Sequence, residues 1–363
     1  MKTQYFNFLF LVLMLPALSL ASNNTLKGRY TKEKKIEKTF TVNADASLKI
    51  DNSYGNVNIT SWNENRTVIV VVIKTNGNDE EEVAKKLDEI DVLFEASANY
   101  VSAETKFNKY KKRSWWNSWG GNDKVNMEIT YTVKVPVTNA IDISNDYGAI
   151  ILNKIEGNAR LSCDYGRLEI GELMADNNLL NFDYTNNSNI GYMRSGRINA
   201  DYSGFTLEEA EEVELRADYS KSVFGKVKRL DYTCDYGSMT AENTGHVSGR
   251  GDYLSVRLGN VSGDVDLTAD YGSIKIDRLT PKAGDVTITS DYAGIKLGYD
   301  SSYNFSFVVD LEYGGINGEE DLEVTKRRVE SSDKYFEGYY GAKNSGNQIN
   351  IRSEYGGVSF IKK

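Results

Sequence analysis

The sequence predicts an all-β protein: a parallel β-solenoid, or β-helix, of about 17–21-residue coils, right-handed by the rule for parallel connections. An N-terminal β-rich cap with one short helix precedes it. Three observations predict this. A strand, a tight bend and a second strand recur about a dozen times. Apolar residues keep one phase on each side of the bend. And like positions return at a nearly constant interval, which is the signature of a solenoid.

The unit is seen in Leu161-Ser162-Cys163-Asp164-Tyr165-Gly166-Arg167-Leu168-Glu169-Ile170. Apolar or small residues alternate with polar ones up to Tyr165, and alternation resumes in the opposite phase after Gly166. The marker tyrosines are Tyr54, Tyr147, Tyr165, Tyr184, Tyr202, Tyr219, Tyr236, Tyr253, Tyr271, Tyr292, Tyr313 and Tyr355. From Tyr147 to Tyr313 their spacings are 18, 19, 18, 17, 17, 17, 18, 21 and 21; Tyr313 to Tyr355 is 42, which reads as two coils of 21. Stacked coils would set the tyrosines in a ladder about 4.8 Å apart, with rings offset-stacked along the axis. The rings share the phase of Leu and Ile. That favours core and corner packing over an aromatic strip for sugars. The position two before the tyrosine is usually small, as at Cys163, Ala200, Ala217, Cys234, Gly251, Ala269 and Ser290. Glycine follows most of the tyrosines, but Thr185, Ser203, Ser220, Leu254 and Ala293 replace it, so another bend geometry is expected there.

An acid precedes each marker tyrosine except Tyr54, where Ser53 stands. Stacked carboxylates repel by about 0.9 kcal/mol per neighbouring pair in bulk water, and by more at a protein surface. Backbone N–H donors at the bend would offset this. The competing reading is a row of Ca²⁺ ligands, with Asp164, Asp201, Asp218, Asp235, Asp252 and Asp270 as candidates. A dedicated Ca²⁺ loop would show acids two residues apart within one coil, and that pattern is absent.

Taken in order, residues 1–21 read as a signal peptide. Lys2 supplies the positive region, Phe6 to Leu15 the apolar stretch, and Ser19-Leu20-Ala21 a cleavage site before Ser22. Export to the periplasm, the cell surface or the medium is expected, with no transmembrane segment in the mature chain. Residues 22–145 read as the β-rich cap. Within it, Asp79 to Ile90 carries a helix signal: Asp79 caps, Glu80 to Glu82 favour the positive end, and Val83, Leu87 and Ile90 share a face. Lys109 to Gly121 holds Trp115, Trp116 and Trp119 beside Lys112 and Arg113. It is a candidate ligand-contact loop, because exposed Trp and Arg commonly anchor binding surfaces; the alternative is that the tryptophans build the cap's core. Residues 146–363 read as the solenoid, with a hairpin excursion at 317–348.

The chain has 363 residues, a net charge of −9 and two cysteines. The acidic balance argues against nucleic acid and anionic membranes as partners. Cys163 and Cys234 occupy the same slot four coils apart, about 19 Å at the coil spacing. A disulfide needs Cα atoms within about 7 Å, so two separate buried thiols are expected. No cofactor is expected. The single His246 lies in a Gly-rich bend, no G-x-S-x-G elbow or phosphate-binding loop occurs, and no rung is distinguished as a catalytic one.

The signal peptide, the opening unit Leu48-Lys-Ile-Asp-Asn-Ser-Tyr-Gly-Asn-Val-Asn-Ile59, the Val133-Lys-Val-Pro136 strand and the repeated Asp-Tyr-Gly bends resemble the exported bacterial proteins grouped as putative adhesins with a β-solenoid domain. The resemblance implies adhesion and brings no catalytic or binding residue set with it. The leading expectation is a non-enzymatic binding or adhesion surface for a cell-surface glycan or protein. The alternatives are a polysaccharide-active lyase or hydrolase on a β-helix, and a structural envelope protein.

Overall fold

The computed structural model describes residues 27–107 and 125–363. Among the described residues twenty-five strands join in one sheet, and most pairings are parallel. The repeat behaves as a stacking unit. Ala159–Asp164 pairs in parallel with Ala140–Asp146 on one side and with Asn178–Asp183 on the other. Leu161 therefore lies between Ile143 and Leu180, and Asp164 between Asp146 and Asp183. Beyond the corner, Ile170 lies between Leu152 and Ile190. Like stacks on like through both legs, which gives a continuous interior of Leu, Ile, Val and Phe. The small slot before each corner is buried, with Cys163, Ala200, Cys234 and Ser290 all at 2% exposure or less.

The helix runs Glu80–Asp88, and the Asp79 carboxylate accepts the backbone N–H groups of Glu81 and Glu82 at 2.9 and 3.1 Å. Val83 is buried beneath it, and the Thr75 hydroxyl donates to the Val83 carbonyl at 2.9 Å. The two cysteines are free and buried, with no disulfide. Burial pushes both thiols up to about 12.

Three expectations fail. The first is tyrosine placement: the marker rings are 43–59% exposed in every coil from Tyr147 to Tyr355. The reason is backbone conformation. All twelve tyrosines have φ between 51° and 66°, the left-handed region. One such residue breaks the two-fold alternation and turns its side chain outward, although its neighbours keep the pattern of an extended strand.

The second is a separate bend geometry where glycine is replaced, because the left-handed residue is the tyrosine in every corner. The corner glycine does not carry the positive φ. A Cβ on Gly166 would lie 1.9 Å from the Gly148 carbonyl oxygen of the preceding coil, so close backbone approach is what requires it. Where glycine is replaced the tyrosine before it keeps its conformation: Tyr184, Tyr202, Tyr219, Tyr253 and Tyr292 have φ of 51–55°. The replacing side chains turn inward, and Thr185, Ser203, Ser220, Leu254 and Ala293 are all buried.

The third is the order of the last coils. Gln348–Glu354 inserts between Val286–Tyr299 and Phe305–Glu312, parallel to both. Tyr355 thus stands between Tyr292 and Tyr313 rather than two coils beyond. The outer side of Phe305–Glu312 pairs antiparallel with Asp333–Tyr340, which pairs antiparallel with Glu323–Glu330. At the opposite end Tyr100–Phe107 covers Ser47–Ser53, and the antiparallel run Tyr30–Thr41, Arg66–Gly77, Asn126–Pro136 ends against Val57–Trp62.

Candidate functional site: an exposed file of tyrosines

The corner is built by its own hydrogen bonds. With tyrosine in the left-handed region, its N–H points along the stack to the next coil's acid. Tyr165 N–H donates to the Asp183 carbonyl at 3.1 Å, and Tyr202 N–H to that of Asp218 at 2.9 Å. The acid's side chain works the same way. The Asp164, Asp183, Asp201, Asp218 and Asp235 carboxylates accept the next coil's Asp N–H at 2.9–3.3 Å. The expected backbone donors therefore exist, but they come from the adjacent coil rather than from the acid's own bend.

Twelve rings stack in the order Tyr54, 147, 165, 184, 202, 219, 236, 253, 271, 292, 355, 313. Centroids are 4.6–5.2 Å apart and planes within 8° of parallel. The file spans roughly 50 Å at the coil spacing. Its first ring meets Phe107 edge-on at 6.2 Å and 85°. The ten inner rings have a neighbour on each face, so what they offer to solvent is ring edge and phenol hydroxyl. None of the twelve phenol hydroxyls has a hydrogen-bond partner among the described residues.

The two flanks of the file differ. On one side stands the acid row. Asp146, Asp183 and Asp270 are pushed above the usual carboxylate range, first by partial burial and then by the neighbouring carboxylates; for Asp183 the Asp201 N–H opposes this. The phenols of Tyr165, Tyr202, Tyr236, Tyr271 and Tyr355 are raised by desolvation and then by adjacent rings. On the other side an open groove of about 660 Å³ runs past Tyr202, Tyr219 and Tyr236, lined by Asn186, Asn187, Ser188, Gly204 and Ser238 among others. Under this flank lies a hydroxyl chain. Ser203 N–H donates to Ser220 Oγ at 2.9 Å and Thr185 N–H to Ser203 Oγ at 3.1 Å. The Ser220 hydroxyl reaches the Ala200 and Asp218 carbonyls at 2.8 and 2.9 Å.

The structure brings the Ca²⁺ candidates Asp164, Asp201, Asp218, Asp235, Asp252 and Asp270 into one row, one carboxylate per coil. No group of three or more His, Cys, Asp or Glu side chains among the described residues has the geometry to hold a metal ion. Trp115, Trp116, Trp119, Arg113 and Lys112 lie outside the described residues, as do residues 1–21. His246 Nδ1 lies 3.0 Å from Asp264 on the exposed surface. Strand phase alone misses the exposed tyrosine file. The signal for it was the buried residue two places before each ring, small in most coils, which already fills the inside of the corner.

No family model matches the sequence, and no curated protein matches it. Among solved structures the chain resembles bacterial proteins described as putative adhesins. A "putative cell adhesion protein" from Clostridium sporogenes is 14% identical, with 92% of this chain and 100% of that one covered and a TM-score of 0.18. A "putative adhesin" from Bacteroides fragilis is 11% identical over 90% and 97%, with a TM-score of 0.25. A "Putative lipid binding protein" from Parabacteroides distasonis is 8% identical over 90% and 96%, with a TM-score of 0.30.

Proposed function

We propose that the chain is an exported, non-catalytic, right-handed β-solenoid whose tyrosine face is a binding or adhesion surface. Its partner is a cell-surface glycan or protein. On this reading residues 1–21 are the leader, 22–145 the cap and 146–363 the solenoid with its 317–348 excursion. The loop carrying Lys112, Arg113, Trp115, Trp116 and Trp119 is a second contact element.

One observation carries the proposal. A side chain other than glycine's costs roughly 1–2 kcal/mol in the left-handed region. Glycine or asparagine would fill such a corner with little strain. Here twelve successive corners hold tyrosine instead, and the rings from Tyr147 onward are about half exposed. Strain concentrated on one solvent-facing line points to use of that line.

The test is retention of the exported chain on immobilised bacterial envelopes and on mucin, with release of new reducing ends followed in parallel. Saturable retention without turnover is the expected result. Retention should weaken in Tyr202→Ser/Tyr219→Ser/Tyr236→Ser. Catalytic release of reducing ends would replace this reading with the polysaccharide-active one.

A further inference from the structure

Aromatic binding strips for sugars present ring faces, and here the faces are taken. The inner rings are sandwiched at 4.6–5.2 Å, so a pyranose cannot lie flat on them. What remains is a row of phenol hydroxyls repeating at about the coil spacing of 4.8 Å. Two hydroxyls that far apart cannot bond directly, since O–H···O bonds are roughly 2.5–3.0 Å. A single foreign hydroxyl set slightly off the line between them reaches both. Each phenol donates one bond and accepts others, so the row suits a partner with the same dual character. The acid row along one flank repels polyanions. The opposite flank is lined mainly by uncharged residues, Asn186, Asn187, Ser188, Gly204 and Ser238 among them, with Lys221 as the one charged side chain in its lining.

We infer that the phenol row and the mostly uncharged groove beside it bind an extended, uncharged, polyhydroxylated chain, a neutral glycan lying along the file. It is held by hydrogen bonds to the ring hydroxyls and not by stacking on ring faces. The inference rests on the reading of the tyrosine face as a contact surface, and it adds the ligand class and the bonding mode. A ligand bound this way gains contacts with every rung it spans. Its affinity therefore rises with chain length.

The discriminating substitution is Tyr202→Phe/Tyr219→Phe/Tyr236→Phe. It removes three hydroxyls and leaves the stack intact, so the fold survives; an unchanged thermal midpoint checks this. The probes are mixed-linkage β-glucan and mannan as neutral polymers, polygalacturonate as a polyanion and polylysine as a polycation. Migration of the exported chain is measured in native gels containing each. Retardation by at least one neutral polymer is expected, stronger for longer chains, and weakened tenfold or more in the triple Phe variant. Equal retardation of the Phe variant would assign binding to ring surface and overturn the inference. So would no retardation by either neutral polymer, or retardation by polygalacturonate stronger than by either of them. So would a sedimentation-detected dimer that buries the tyrosine face, since its occupant would then be a second copy. If envelopes retain the protein while no neutral polymer binds or competes, the ligand assignment falls and the contact surface stands. If envelope retention also ignores the Tyr→Ser changes, both fall.

Discussion

Tyr219 sits at φ 53° between the rings of Tyr202 and Tyr236, 4.9 and 4.8 Å away. Two opposing effects meet there. The left-handed backbone costs roughly 1–2 kcal/mol. Each stacked pair returns about 0.5–1.5 kcal/mol beyond burial. Substitutions at this residue separate the two. Tyr219→Phe keeps both rings' contacts and loses a hydroxyl with no partner among the described residues, so its urea midpoint should match wild type. Tyr219→Asn relaxes the backbone but loses two stacks, for a net loss of about 1 kcal/mol. Tyr219→Val keeps the strain and loses the stacks, and it should have the lowest midpoint of the four. A different order would show that stacking does not offset the corner. This residue also shows where pattern reading stops. The alternation before Tyr165 and after it was legible, because Leu161, Cys163, Leu168 and Ile170 are all buried as their phase requires. The exposure of the ring was not, because period-2 reasoning assumes extended φ at every position. The thiols were legible for the same reason as the core. Native protein at pH 8 should resist thiol reagent, whereas denatured, unreduced protein should take up two labels; a missing pair would overturn the free-thiol assignment.

At the scale of the corner, two lines of side chains run beside the rings and respond oppositely to disturbance. The hydroxyl chain holds buried backbone donors. Ser220→Ala leaves the Ser203 N–H without its acceptor in a buried place. A loss of about 1–3 kcal/mol in unfolding free energy is expected, and one below 0.5 kcal/mol would mean the N–H finds another partner. In the acid row the five carboxylates from Asp164 to Asp235 each accept one N–H, but the row repels along its length. Asp146, Asp183 and Asp270 have folded-state values above their unfolded ones. For such groups the protonated form is favoured by folding. Their contribution is fully present below the unfolded value, near 3.8, and is lost as pH rises through the folded value. Asp300 is the reverse. The Arg278 guanidinium and the Ser302 N–H hold it down to about 2, so its contribution is present above 3.8 and lost as pH falls toward 2. Asp183→Asn keeps an oxygen for the Asp201 N–H and removes a charge from the row. Its thermal midpoint at pH 7 should exceed wild type, and the gain should vanish on titration toward pH 4. Asp300→Asn should instead flatten the loss of stability below pH 4. An Asp183→Asn midpoint below wild type at pH 7 would mean the row is held more tightly than its repulsion suggests. The sequence showed these acids as a series. It did not show their donors, because the bonds join residues 17–19 apart in sequence and exist only once the coils are in register.

Over the whole molecule, a stack of parallel strands has two ends, and each end offers unpaired backbone to other chains. The sequence announced the repeat but not how the chain closes it. Equal spacing suggested a simple continuation past Tyr313, whereas the last coil, Gln348 to Lys362, is threaded back between its predecessors. Local pattern specifies what a segment looks like in a sheet, and it carries no information on which edge receives it. The consequence is that the terminal coil strand, Phe305–Glu312, is covered by the hairpin of Asp333–Tyr340 and Glu323–Glu330. The outermost strand, Glu-Val-Thr-Lys-Arg-Arg-Val-Glu, is almost wholly exposed. Lys326 lies 5.0 Å from the Tyr335 ring and Arg327 5.2 Å from that of Phe336. At the other end Tyr30–Thr41 carries Lys32, Lys34, Lys35 and Lys38. Charged edge strands of this kind discourage strand addition, because a neighbouring chain would have to bring its own strand against a line of cations. Lys326→Thr/Arg327→Val/Arg328→Thr removes that line and raises strand propensity without touching the tyrosine file. Sedimentation velocity should show concentration-dependent chains of end-to-end oligomers for this variant, and none of them for wild type at the same concentration. A variant that sediments as wild type does would mean that the twist or length of the hairpin, and not its charge, blocks growth at this end.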